Sequence, residues 1–165
     1  ITDIYFGDNA LERLSQLEEK KAFVISDPFV VESGLIRHIT RPLDRGNIDY
    51  VLYTDVCADP TTEKVIAGIS AVTKENPDCI IAVGGGSAMD LAKAIRKIAQ
   101  QMDKNFNPRL IAIPTTSGTG SEVTSFSVIT DTLLPLAPAS GTCCSTTKSR
   151  PCSLPRSWDR QQRPD

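Results

Sequence analysis

Ile80-Ile81-Ala82-Val83-Gly84-Gly85-Gly86-Ser87-Ala88-Met89-Asp90 decides the fold, because an apolar strand runs into three glycines and then directly into a helix. Ile80, Ile81 and Val83 are β-branched and bounded by Pro77 and the glycines, the pattern of a strand buried within a parallel sheet. From Ser87 the period changes: Ala88, Leu91, Ala92, Ile95, Ile98, Ala99 and Met102 recur at helical spacing, and Lys93, Arg96 and Lys97 are expected on another face, near the end that favours positive charge. The helix is expected to start at the last glycine. Its free N–H groups and positive dipole end then point at whatever lies over the glycines, and without Cβ atoms there a pyrophosphate can reach the backbone. A packing turn is the alternative, with Ser87 and Asp90 forming a capping box in which Asp replaces Glu. Neither standard phosphate motif matches. A G-x-G-x-x-G fingerprint needs Gly at position 89, where Met stands, and a Walker loop needs a Lys followed by Ser or Thr.

A second strand, Leu110-Ile111-Ala112-Ile113, ends in Pro114-Thr115-Thr116-Ser117-Gly118-Thr119-Gly120-Ser121-Glu122. Ligands of open α/β sheets bind beyond the carboxyl ends of the strands, so this hydroxyl-rich loop and the glycine loop should open on the same side. Hydroxyls there can hold ribose, phosphate or a nicotinamide amide; a solvated Thr/Ser loop is the plain alternative.

Strands alternate with helices elsewhere too. Lys21–Ser26 reads as a strand ending at Asp27-Pro28, followed by Val30, Val31, Leu35 and Ile36 at helical spacing. Tyr50–Tyr53 is the next strand, and after Cys57-Ala58-Asp59-Pro60 comes a helix with Val65, Ile66, Ile69 and Val72 as its apolar stripe. This alternation implies right-handed βαβ crossovers and an α/β, Rossmann-like, mainly parallel sheet with flanking helices. Residues 2–6 are expected to pair at a sheet edge, and Asp27, Asp59, the glycine loop and Thr115 to share one rim. A carboxylate such as Asp27 at the end of an early strand can accept hydrogen bonds from the adenosine ribose and would repel a 2′-phosphate, favouring NAD over NADP; equally, it can cap a helix that has Pro28 at its first position.

The glycine segment Gly84–Asp90 followed by Pro114–Glu122 resembles the N-terminal domain of the iron-activated (group III) alcohol dehydrogenases, with the character of the propanol and propanediol branch. The resemblance runs from about Ile4 to Asp131. The wider superfamily, which includes glycerol dehydrogenase and dehydroquinate synthase, shares the glycine loop, so the Pro-Thr-Thr segment carries the finer assignment. The resemblance implies NAD, with NADP the lesser choice, as cofactor. It implies Asp27 at the adenosine ribose, Asp59 near the adenine, where Asn is frequent in the family, and Gly85, Gly86, Ser87 and Asp90 at the pyrophosphate. Thr115, Thr116, Thr119, Thr124 and Phe126 would face the nicotinamide. It also implies a small alcohol or aldehyde as substrate and Fe2+ or Zn2+ held by one Asp and three His of a helical domain. A polyol dehydrogenase of the same superfamily and a noncatalytic fragment are the alternatives.

Beyond Asp131 the chain changes character. Residues 132–165 contain neither Val nor Ile but hold Pro135, Pro138, Pro151, Pro155 and Pro164, with Cys143, Cys144 and Cys152 among Ser, Thr and Arg. The expected organisation is a dinucleotide-binding domain over 1–132 and an irregular tail over 133–165, disordered or loosely packed, with the reading frame lost near residue 132 or the tail misassigned. The Cys-Cys-x7-Cys pattern lacks the partners of a structural zinc site. His38, the one histidine, sits in the helical stretch after Asp27 and reads as a surface or satisfied helix residue rather than a ligand. No ligands for the family metal are recognisable, so this chain alone is expected to be inactive. A net charge of −2 and a pI near 5.5 leave no basic surface for nucleic acid. No apolar run approaches a membrane span, Ile1–Asp8 is no signal peptide, and Cys57 and Cys79 read as reduced residues of a cytoplasmic protein. A homodimer stays open as its assembly.

Overall fold

A computed structural model describes residues 3–130 and the backbone of 142–145. Four parallel strands, β1 (Lys21–Ser26), β2 (Asp49–Tyr53), β3 (Cys79–Gly84) and β4 (Arg109–Pro114), form a sheet in the order β2-β1-β3-β4. Four helices connect them: α1 (Pro28–Glu32), α2 (Arg37–Arg45), α3 (Thr62–Glu75) and α4 (Gly86–Met102).

The central strands are apolar on both faces because both faces are covered. Phe23 and Ile25 of β1, with Ile80 and Ala82 of β3, pack against Val65, Ile69 and Val72 of α3 and Leu91 and Ile95 of α4. The alternate residues Ala22, Val24, Ile81 and Val83 pack on the other face against Val30, Ile39, Leu43 and Leu14, the last from a 3-10 segment over Ala10–Gln16. Register is fixed accordingly, with Phe23 opposite Ile80 and Ile81 opposite Ile111.

This arrangement creates a switch point. The chain leaving β1 turns to the α1/α2 face, whereas the chain leaving the adjacent β3 turns to the α3/α4 face. Two neighbouring strands thus send their exit loops apart, opening a crevice at their carboxyl ends.

Several expectations need correction. Residues 3–6 form no strand, and Ile4, Tyr5 and Phe6 are exposed. The helix after Asp27 breaks at Gly34, whose φ of 79° no continuous helix accommodates, leaving Leu35 exposed. Ile66 and Met102 are exposed, and Gly68 takes the place of Ile66 in the buried stripe of α3. Lys93 is buried rather than turned to another face. In the tail, Thr142–Ser145 forms β6, antiparallel to β5 (Phe126–Ile129), a pairing that composition did not announce. The rest of the tail expectation falls on residues 131–141 and 146–165, outside the described residues.

Candidate dinucleotide-binding site

Strand β3 ends where the backbone requires glycine. Gly84 has a φ of 150°, and a Cβ on it would lie 2.6 Å from Asp27 Oδ2 and 2.9 Å from the Ala88 Cβ. The Asp27 carboxyl group therefore lies directly against the exit of β3, at the crevice between β1 and β3. Its other oxygen accepts from the Val30 N–H at 3.0 Å and caps α1, with Pro28 in the first turn. Asp27 does the capping work that was one of its two readings, and only one oxygen is occupied by it.

Helix α4 begins at Gly86 with Gly85 as N-cap and no side-chain cap. Ser87 lies inside the first turn, so the capping-box alternative is not formed. The first-turn N–H groups are left for solvent or a ligand. Gly85 and Gly86 also make room for the second loop. A Cβ on Gly85 would stand 3.2 Å from Thr116 Oγ1, and one on Gly86 3.0 Å from Thr119 Cγ2. Thr115 N–H donates to the Gly84 carbonyl at 2.9 Å, continuing the β3-β4 ladder into this contact. Glycine loop and threonine loop thus form one surface, with Thr115, Thr116 and Thr119 exposed on it.

Other expected site residues lie differently. Asp90 is buried: its Oδ1 accepts from Ser121 Oγ at 3.0 Å and lies 2.8 Å from Lys93 Nζ, and its Oδ2 accepts from the Val128 N–H at 3.1 Å. Both oxygens are engaged within the protein, so Asp90 faces the 121–128 segment rather than the pyrophosphate region expected for it. Thr124 Oγ1 donates to the Ser121 carbonyl and accepts from Lys93 at 3.2 Å; Phe126 gives Lys93 its carbonyl while its ring is partly exposed. Asp59 stands exposed in the loop before α3 with a φ of 53°, and Thr61, not Asp59, caps that helix. Sequence reasoning gives neither Gly84 nor Lys93 a place among the site residues. A third consecutive glycine and an Asp-x-x-Lys pair on one helix face were the signals available.

A groove of about 880 Å³ runs along the outer edge of β4, lined by Leu11, Leu14, Met89, Ile111, Ile113 and Val123 among others. Asp27 and the glycines are not part of its wall, so this groove is distinct from the crevice between β1 and β3. Among the described residues no group of three or more His, Cys, Asp or Glu is arranged to hold a metal ion, and His38 is exposed on α2. No described helix is long and apolar enough to cross a membrane.

Residues 2–134 match the family description "Iron-containing alcohol dehydrogenase". The chain belongs to that family. Within the iron-containing alcohol dehydrogenases it is 41% identical over 130 residues to the 1-propanol dehydrogenase PduQ of Citrobacter freundii, covering 79% of this chain and 35% of that protein. It is 37% identical over 144 residues to the NADPH-dependent butanol dehydrogenase of Clostridium saccharobutylicum, covering 78% of this chain and 37% of that protein. Among solved structures it resembles the archaeal halo-thermophilic Red Sea brine pool alcohol dehydrogenase ADH/D1, with a TM-score of 0.71 and 29% identity over 79% of this chain and 39% of that one. The chain spans about a third of the length of these two curated relatives. Its four-stranded parallel sheet is the N-terminal Rossmann-like domain of this family.

Proposed function

We propose that the chain binds a nicotinamide dinucleotide, with NAD preferred, as the nucleotide-binding domain of a metal-dependent alcohol dehydrogenase acting on a small alcohol or aldehyde. One observation carries this reading: at the switch point of the sheet Asp27 lies against Gly84, the first of three consecutive glycines, and Gly85 and Gly86 beyond it lie under Thr116 and Thr119. The glycines fit a pyrophosphate, because the uncapped first turn of α4 offers N–H donors and positive potential over Gly85, Gly86 and Ser87. Asp27 keeps one oxygen free of the cap for ribose hydroxyls, and its charge opposes a 2′-phosphate. Thr115, Thr116 and Thr119 line the nicotinamide side, with Thr124 and Phe126 further along the same loop and Asp59 toward the adenine. When bound, the dinucleotide supplies the hydride acceptor for alcohol oxidation.

The family's iron is a different matter. The described residues do not fit a metal, and no step through it is assigned to them. Iron is the metal that the family description names, and nothing favours zinc. The proposal extends to this chain alone turning over no alcohol, and to a cytoplasmic setting, which the reduced, buried Cys79 suits.

Calorimetric titration of the chain with NADH, beside a Gly85→Val variant shown to fold, tests the reading. Saturable binding that the valine weakens is the expected result. Equal affinities would remove the glycine loop from the site.

A further inference from the structure

We infer that Asp90 and Lys93 are positioning residues, a buried ion pair on α4 that fixes the loop from Thr115 to Phe126 over the glycine turn. What the loop is positioned to meet rests on the dinucleotide reading; the anchoring itself does not. Both side chains are about nine-tenths buried, with Nζ 2.8 Å from Oδ1. A helix gains little from hiding such a pair, since desolvation offsets most of the attraction. The gain lies in what the two charges hold.

The Lys93 ammonium reaches the Ser121 carbonyl at 3.0 Å, Thr124 Oγ1 at 3.2 Å and the Phe126 carbonyl. Asp90 takes the Ser121 hydroxyl and the Val128 N–H. One loop is thereby wound around a cation supplied by the helix, as it could be wound around a bound metal ion. The anchor passes directly to the exposed threonines, because Ser121 N–H donates to Thr119 Oγ1 at 3.4 Å and Thr119 rests on Gly86. On either side of Thr119, Gly118 and Gly120 have φ values of 139° and 62°, and a Cβ on either would meet nothing within 4 Å. The Thr115 N–H bond to the Gly84 carbonyl holds the start of the loop, and the pair holds its later part.

Hydrogen exchange on the 165-residue chain, read by mass spectrometry, tests this with three variants: Lys93→Met, Asp90→Leu/Lys93→Met and Ser121→Ala. The double variant removes the charges together and should restore global stability lost in the single one, which a purely structural role would count as full rescue. The expected result is that amides over 116–128 exchange about tenfold faster in the double variant, while β1 and β3 are unchanged. NADH affinity should fall by about the same factor, and Ser121→Ala should give a smaller change in the same direction. If Lys93→Met fails to fold, the other two variants decide. Unchanged loop exchange in the folded double variant would overturn the inference. So would a loosened loop that leaves NADH affinity intact in a chain that binds it. A parent chain that binds no NADH would sink the dinucleotide reading instead, and the exchange comparison would still decide the anchoring.

Discussion

Gly84 and Asp27 are in mutual contact across two adjacent strands: the space a Gly84 Cβ would need is filled by Asp27 Oδ2 at 2.6 Å. The shape of the crevice and the placement of its acid are therefore one property. Gly84→Ala should combine backbone strain with a clash and cost roughly 2 kcal/mol, against about 1 kcal/mol for Gly34→Ala, where φ is also positive but the surroundings are open. Denaturant midpoints of the two variants check the difference. Equal losses would mean that the carboxyl group moves aside freely.

Asp27 has two duties that substitution can separate. Asp27→Asn keeps an oxygen for the Val30 N–H and should leave stability within about 0.5 kcal/mol, whereas Asp27→Ala loses the cap and about 1 kcal/mol. Both variants lose the charge, so both should bind NADPH more nearly as well as NADH. Titrations with the two reduced cofactors measure this, and an unchanged ratio would assign Asp27 to capping alone.

Gly68 lets α3 pack closely on α4 at Ile95. A Cβ there would meet the buried Ile95 Cδ1 at 2.2 Å. Helix propensity alone would make Gly68→Ala stabilising by about 1 kcal/mol, but overpacking should reverse the sign and cost about 1–3 kcal/mol. Adding Ile95→Val should recover most of that loss, which a double-mutant cycle by urea unfolding would read as a favourable coupling.

Lys21 and Glu75 tie the start of β1 to the end of α3 at 2.9 Å. The hydrogen bond and charge of Lys21 hold the Glu75 carboxyl below the ordinary glutamate range. A folded-state pKa depressed in this way gives stability that is present above the unfolded value and lost as pH falls through the folded one. Glu75→Gln should lower stability at neutral pH and flatten this part of the acid limb. Parallel slopes below the ordinary glutamate range for the two proteins would show that the pair contributes nothing there.

Cys79 is buried among apolar neighbours, and burial pushes its thiol up to about 12. In native protein at neutral pH, iodoacetamide should therefore leave Cys79 unmodified while labelling the partly exposed Cys57, as peptide mass mapping would show. Equal labelling of both would indicate that β3 opens on the labelling timescale.

The strands and the start of α4 were legible because Ile80–Val83 and Leu110–Ile113 are short apolar runs that end in glycine or proline, signals set by local backbone chemistry. Sidedness was not. Ile66, Leu35 and Met102 fit apolar periods but face solvent: Gly68 takes the inner position against Ile95, the helix breaks at Gly34, and Met102 is the last residue of α4. Lys93 is illegible for the complementary reason: a lysine near the middle of an amphipathic helix looks solvated unless the loop that surrounds its ammonium is known. In sequence the glycines read as room for a ligand. They are also room for Thr116 and Thr119, a contact between segments about 30 residues apart that no local pattern contains.

The crevice belongs to neither of the strands that make it. Its acid directly follows β1 and its glycines begin at the last residue of β3, and between them in the chain lie α1, α2, β2 and α3. No partly folded form that lacks the β1-β3 pairing presents the two together, so a ligand seated there has affinity only for the assembled sheet. Binding should then protect the slowest-exchanging amides at the centre of the sheet, far from the ligand, as strongly as those that touch it. In such a molecule the cofactor acts as a fastener of the whole domain.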